Sequence, residues 1–157
     1  MKRFLQLILL AVACAGLAPC AVMAADLPAK FEPARDAATD VAAATAAAKK
    51  EGKRVLVDVG GEWCPWCHIL DRFVAANADV KKLVDDNYVW VKVNWSKENK
   101  NEVVLSRFPK VAGYPHIFIL DADGKLVQSQ NTADLEAEKD YDKPKFIAFL
   151  QQYRAKR

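Results

Sequence analysis

Glycine and proline are scarce, at 6 and 7 among 157 residues. Collagen-like and low-complexity classes are therefore excluded. Only one long apolar stretch occurs, Phe4 to Ala13, interrupted by Gln6. A bilayer span needs roughly 20 such residues, so a multi-span membrane protein is excluded as well. No run of Lys and Arg exceeds two residues, and the formal net charge is only +3. Lys2 and Arg3 supply two of those charges. Without the first 24 residues, 21 basic side chains face 20 acidic ones. So even a balance gives no electrostatic ground for a nucleic-acid partner. Methionine occurs only at Met1 and Met23, and histidine only twice. What is present, 52% hydrophobic and 27% charged residues, suits one ordinary globular domain.

The N-terminus reads as an address. A basic pair precedes the apolar run, Gly16 and Pro19 break it, and Val22-Met23-Ala24 offers modest side chains before a cut at Ala25. This is the pattern of a secretory signal peptide over residues 1–24. Cys14 and Cys20 raise a lipid anchor, but Ala11-Val12-Ala13 and Leu17-Ala18-Pro19 match a lipobox poorly. Residues 25–35, with Pro28 and Pro33, read as a surface lead-in. The remaining domain then spans residues 36–157.

Removing the leader leaves one cysteine pair, Cys64 and Cys67. A loop that short constrains the unfolded chain little, so the pair makes a poor staple. In an exported, oxidising setting it reads as redox chemistry or ligation.

Around it the elements alternate. Asp36 to Lys50 is an Ala-rich helix with an acidic start, a basic end and Gly52 as its stop. Arg54 to Val59 is a strand whose continuous apolar run suits burial on both faces. Residues 64–76 carry helical spacing through Ile69, Leu70, Phe73 and Val74, and Val80 to Val84 continues as a second short helix. Tyr88 to Val93 is a strand, Glu102 to Phe108 a short helix stopped by Pro109, and His116 to Leu120 a strand. Asp123-Gly124 turns into a last strand over residues 125–129. A closing helix opens near Asp142, with Pro144 in its first turn and Phe146, Phe149, Leu150 and Tyr153 along one face. The alternation predicts an α/β sandwich with parallel pairing and an antiparallel closing hairpin.

The segment Trp63-Cys64-Pro65-Trp66-Cys67-His68 follows a buried strand and opens a helix. Free N–H groups and the helix dipole favour an anion at that point. An ordinary thiol, with a pKa of about 8.5, is only ~3% ionised at pH 7, so such stabilisation matters. Cys64 is thus the expected exposed nucleophile. Cys67, one turn further in, is the sheltered resolving thiol. Pro65 suits the first helical turn, where its missing N–H costs nothing. Gly60 and Gly61 are read as the sharp turn from strand to helix.

Residues 54–68, RVLVDVGGEWCPWCH, resemble the active-site segment of the thioredoxin superfamily, and in particular exported thioredoxin-like proteins with an Ala-rich helix before the first core strand. The resemblance covers roughly residues 37–155. It implies a thioredoxin-like fold with a central mixed β-sheet flanked by helices. Asp58, six residues before Cys64, matches the buried acid that takes the Cys67 proton, directly or through water. Lys92 matches a lysine beside that acid. Gly113-Tyr114-Pro115 matches the loop whose proline is cis and faces the disulfide, leaving Tyr114 backbone groups free for a substrate strand. Trp63 and Trp66 are expected to frame an apolar groove, with Pro65, Tyr114 and Pro115 completing the substrate-binding set. The Pro65-Trp66 dipeptide departs from the common Gly-Pro, and extra residues fall between Lys92 and Gly113 and around Glu136 to Lys143. The resemblance implies a periplasmic, cofactor-free thiol–disulfide oxidoreductase, a reductase before an oxidase. It also implies a monomer, exported cysteine proteins or cytochrome maturation factors as clients, and a membrane-embedded dithiol donor.

The same residues spell a rival. Cys64-x-x-Cys67-His68 is the attachment pattern of c-type haem, with His68 as axial ligand and a sixth ligand to be found at His116, Lys or an open position. Zinc held by Cys64, Cys67, His68 and His116 would crowd three ligands onto one turn. Neither accounts for Asp58, Lys92 or Pro115. Asn94-Trp95-Ser96 is a formal glycosylation sequon with no other support.

Overall fold

The computed structural model describes residues 26–156. The signal-peptide reading of residues 1–24, with Cys14 and Cys20, lies outside them. Among the described residues, no helix is long and apolar enough to cross a membrane.

Helix α1 (Ala37–Glu51) starts at Asp36, whose carboxylate accepts from the Ala38 N–H, and stops at Gly52, which takes the left-handed conformation at φ 66°. Its inward face is Ala37, Asp40, Ala44 and Ala48. Small side chains let the helix lie close on the sheet, as the composition predicts. Strand β1 (Arg54–Gly60) leads to α2 (Pro65–Ala76), α3 (Ala78–Asn87) and β2 (Tyr88–Asn94). A one-turn α4 (Glu102–Leu105) and β3 (His116–Leu120) follow, then β4 (Leu126–Asn131) after a turn at Gly124 with φ 78°. A 3-10 turn (Thr132–Leu135) precedes the two-residue strands β5 (Glu136–Ala137) and β6 (Asp140–Tyr141), and α5 (Lys143–Tyr153) closes the chain.

The main sheet runs β2-β1-β3-β4. Only β1 and β2 are parallel; β3 is antiparallel to both β1 and β4. The pairing is therefore mixed to a greater degree than the helix–strand alternation alone predicts. Helix α4 ends at Leu105, short of the expected Phe108. The extra residues near Glu136 form the small β5–β6 hairpin, which is too short for any periodicity to announce.

Central β1 is buried on both faces and divides the interior. Val55, Val57 and Val59 join Val91, Val93 and Phe118 against α1. Leu56 joins Leu70, Phe73, Ile117, Ile119, Phe146 and Leu150 beneath α2 and α5. Alternation along the strand assigns Asp58 to the Leu56 face, and Lys92 to the same face of β2, opposite Asp58 in register.

The lead-in runs largely exposed over the surface but is anchored at two points: Pro28 is buried and Phe31 is 1% exposed. Asn99 Nδ2 donates to the carbonyls of Pro33 (2.9 Å) and Arg35 (3.3 Å), and Arg35 makes a two-pronged ion pair with Asp40 at 2.7 and 2.9 Å. The same polar cluster buries Asn94, whose Nδ2 donates to Asn99 O (2.9 Å) and Ser96 Oγ (3.2 Å). A side chain so enclosed does not present a glycosylation site.

Candidate active site

Cys64 and Cys67 are joined in a disulfide at the start of α2, with Cα atoms 5.3 Å apart. Cys64 is the N-cap, and its Sγ accepts a hydrogen bond from the Cys67 N–H at 3.1 Å. The first sulfur thus occupies the place where a side-chain oxygen usually caps a helix, facing the N–H groups that stabilise negative charge. Pro65 stands at the first helical position, exposed.

Gly60 and Gly61 serve a different purpose from the expected one. Neither has positive φ; among the described glycines only Gly52 and Gly124 do. Space is what they supply. A Cβ on Gly60 would come 2.5 Å from Cys67 Sγ, and one on Gly61 would collide with the Trp63 indole.

Cys64 is not exposed, contrary to expectation: it is 2% accessible, and Cys67 is fully buried. The pair forms a small cluster with Phe31, flanked by Trp66 and Tyr114, so aromatic rings cover the sulfurs. The Tyr114–Pro115 bond is cis, as expected. The Pro115 carbonyl accepts from Thr132 Oγ1 at 2.6 Å, which fixes this loop to the end of β4.

The two tryptophans part company. Trp63 is 51% exposed. Its ring meets Trp95 and Tyr114 edge-on at 5.9 and 5.5 Å, and Trp95 stacks on Tyr114 at 5.0 Å. Its Nε1 donates to Trp95 O at 2.8 Å. From Trp95 and Tyr114 an open groove continues past Leu105, Phe108 and Val111, with Lys100, Glu102 and Lys110 also lining it. Trp66 instead turns inward, edge-on to Tyr141 at 5.8 Å. The groove is lined by Trp95 and Tyr114, with Trp63 packed edge-on against both and Trp66 against the core. Trp95 was not foreseen; its only sequence signal is its place directly after β2.

Asp58 is fully buried and Lys92 nearly so. Lys92 Nζ donates to Asp58 Oδ2 at 2.9 Å and to Asp71 Oδ1 at 2.6 Å. Trp90 Nε1 reaches Asp58 Oδ2 at 3.3 Å. Burial pushes the Asp58 carboxyl above the usual carboxylate range, against the opposing pull of Lys92. Burial also works against the Lys92 ammonium, but Asp58 and Asp71 outweigh it and hold its pKa above the ordinary lysine value. Burial thus favours the neutral Asp58 carboxyl, and the two neighbouring carboxylates favour the charged Lys92 ammonium. Asp71 was missed. Helical spacing could have found it, since Cys64, Cys67 or His68, and Asp71 recur at one-turn intervals on a single face.

The haem pattern gains no support from this geometry. The sulfurs are bonded to each other, His68 Nε2 meets the Glu62 carbonyl at 2.8 Å, and His116 Nε2 meets Ser129 Oγ at 2.9 Å.

A thioredoxin-like family model matches residues 36–122, more than half the chain. This chain belongs to the thioredoxin-like family. The thiol:disulfide interchange protein DsbD of Salmonella typhi is 28% identical over 127 residues, which are 78% of this chain but 22% of that protein. DsbD of Klebsiella pneumoniae aligns equally, over 21% of its length. The chain thus spans about a fifth of these relatives. Among solved structures, a disulphide isomerase from Xylella fastidiosa superposes with a TM-score of 0.67 at 24% identity, covering 82% of this chain and 98% of that one. The oxidised C-terminal domain of Neisseria meningitidis DsbD superposes at 0.58 with 21% identity, covering 76% and 97%. At such identities these two attest to the fold.

Proposed function

We propose that the chain is a periplasmic disulfide reductase in which Cys64 attacks and Cys67 resolves. The observation that carries the reading is the placement of Cys64 Sγ at the α2 N-cap, accepting from the Cys67 N–H at 3.1 Å. In the reduced protein, the Cys64 thiolate attacks one sulfur of a client disulfide. The client S–S bond breaks, a Cys64–client disulfide forms, and the other client sulfur leaves as a thiolate that takes a proton from water. Cys67 then gives its proton to Asp58 and attacks Cys64 Sγ. The second client thiolate departs, and the Cys64–Cys67 bond closes. Two electrons pass from the Cys64/Cys67 dithiol to the client, and a partner dithiol must return them. Lys92 keeps Asp58 able to release its proton afterwards.

Clients bind as extended strands along Tyr114 and Pro115, with an apolar side chain against Trp63. The clients are exported proteins with cysteines, and the donor is a membrane thiol–disulfide protein; the DsbD relatives and the signal-like N-terminus support this setting. The protein acts as a monomer without a cofactor. Turnover of insulin disulfides by the purified chain with a supplied dithiol tests the reading. Catalysed precipitation of the insulin B chain is expected. A rate no higher than that of the dithiol alone, or a covalently bound haem with its Soret band, overturns it.

A further inference from the structure

The strap of residues 26–35 brings one large apolar side chain under the active site, and the resolving chemistry has not yet used it. Phe31 is 1% exposed although it belongs to no helix or strand. Its ring lies beneath Lys92, whose Nζ is 4.2 Å from the ring centroid. A Cβ on Gly60 would meet Phe31 Cζ at 3.0 Å and Cε1 at 3.2 Å as well as Cys67 Sγ at 2.5 Å. The ring edge and the inner sulfur thus share one gap, which stays open only because residue 60 is glycine.

The strap is tied to the site it covers. The Phe31 N–H donates to Glu62 Oε1 at 3.0 Å, and the Glu62 carbonyl meets His68 Nε2 at 2.8 Å. Pro33, Arg35 and Asp26 carbonyls are held by Asn99 and by the Arg35 guanidinium. So many anchors over a short segment fix the ring in place. Phe31 thus borders the Lys92–Asp58 ion pair on one side and the gap beside Cys67 Sγ on the other.

We propose that Phe31 is a positioning residue for the resolving step, a plug that closes a compartment around Cys67, Asp58 and Lys92 to bulk water. The proposal rests on the reductase reading given above. A cation against an aromatic face loses less on desolvation than one against an aliphatic wall. A dry carboxyl resists ionising, so it remains a strong enough base to take a thiol proton near neutral pH. The groups that act on Asp58 are Lys92 and Trp90 from β2, Asp71 from α2, and Tyr141 from β6. None of them replaces the ring if it is removed.

The test compares the full chain with its Phe31→Ala and Phe31→Leu variants. The titration of Asp58 is read from its side-chain carboxyl carbon by NMR in the oxidised protein. The pH profile for resolution of a Cys64 mixed disulfide is read alongside. Phe31→Ala should move both midpoints to lower pH, toward an exposed carboxylate. Phe31→Leu, which keeps an apolar contact but no ring face, should move them less and in the same direction. If Phe31→Ala does not fold, the leucine variant alone still reads the shift. Wild-type midpoints in every folded variant overturn the proposal. The carboxyl titration needs no turnover. A wild-type chain that fails to reduce disulfides therefore defeats the functional reading alone, and unmoved midpoints in an active enzyme defeat the Phe31 role alone.

Discussion

Asp58 and Lys92 face each other across the β1–β2 pair, with Lys92 Nζ 2.9 Å from Asp58 Oδ2 and both side chains withdrawn from solvent. The register fixes the meeting, since Asp58 and Lys92 are direct partners in the parallel ladder. A buried ion pair is weak evidence for stability, because desolvation offsets most of its attraction. In the proposed mechanism its value is chemical: Asp58 is the acid that takes the Cys67 proton.

The sign of the Asp58 effect on stability follows from that burial. A carboxyl whose pKa is raised in the folded state contributes stability fully present below the unfolded value of about 3.9, and lost as pH rises through the folded value. Asp58→Asn removes the loss. The variant should therefore unfold at higher urea concentration than the oxidised wild type at pH 8, with the difference closing toward pH 4. Each unit of raised pKa is worth about 1.4 kcal/mol. Its resolving step should slow near pH 7 and recover at high pH, where Cys67 ionises unaided. Wild-type turnover across pH 6 to 9 would make Asp58 structural only.

Lys92→Met should act in the opposite sense on stability. The raised Lys92 pKa contributes stability that is complete at neutral pH and lost only as pH climbs through the folded value. Removing the ammonium leaves Asp58 and Asp71 without their shared cation. A loss of about 3 kcal/mol at pH 7 is expected, shrinking as pH falls and Asp58 takes up a proton. Denaturation at pH 5 and pH 7 checks it. The resolving defect should be milder than that of Asp58→Asn, with its pH midpoint moved upward.

The two cysteines should behave unequally. Cys67→Ala should accumulate a mixed disulfide between Cys64 and a client, and Cys64→Ala should accumulate none. In the reduced wild type, iodoacetamide near pH 7 should label Cys64 first, by peptide mass mapping. Equal labelling would remove the distinction between attacking and resolving sulfur.

Trp63→Ala should raise KM for a protein client about tenfold with kcat little changed, the mark of lost uniform binding. Stability should fall by only about 1 kcal/mol, the scale of an edge-on aromatic contact. Steady-state kinetics with a folded disulfide client and a thermal melt measure the two.

The frame of this fold was legible in the sequence, because its long elements carry strong periodicities. The β1 run of Val55, Leu56, Val57 and Val59 announced a strand buried on both faces, and Asp36 with Gly52 bracketed α1. The joining of Cys64 to Cys67, the Asp58–Lys92 pairing and the cis proline followed from spacing and resemblance. Phe31 was not legible, because a single anchoring aromatic in an irregular strap has no period to betray it. Its burial depends on long-range partners, Glu62 and Asn99, that spacing does not reveal. The concealment of Cys64 was missed for the same reason, since two of the rings that cover it, Phe31 and Tyr114, come from distant segments. Trp66 was assigned to the groove by its neighbours in sequence. The helical turn from Cys64 directs it instead toward Tyr141, on a hairpin too short to foresee.

Equilibration of the purified chain with glutathione buffers of graded ratio tests the central claim most directly. The Cys64–Cys67 disulfide should open and close in one reversible two-electron transition, with a tenfold change in the equilibrium ratio for each ~30 mV. Trp fluorescence should follow the same curve, since Trp63 and Trp66 flank the pair. A disulfide that stays closed at every ratio, and opens only on unfolding, would make the pair a structural staple and contradict the reductase account.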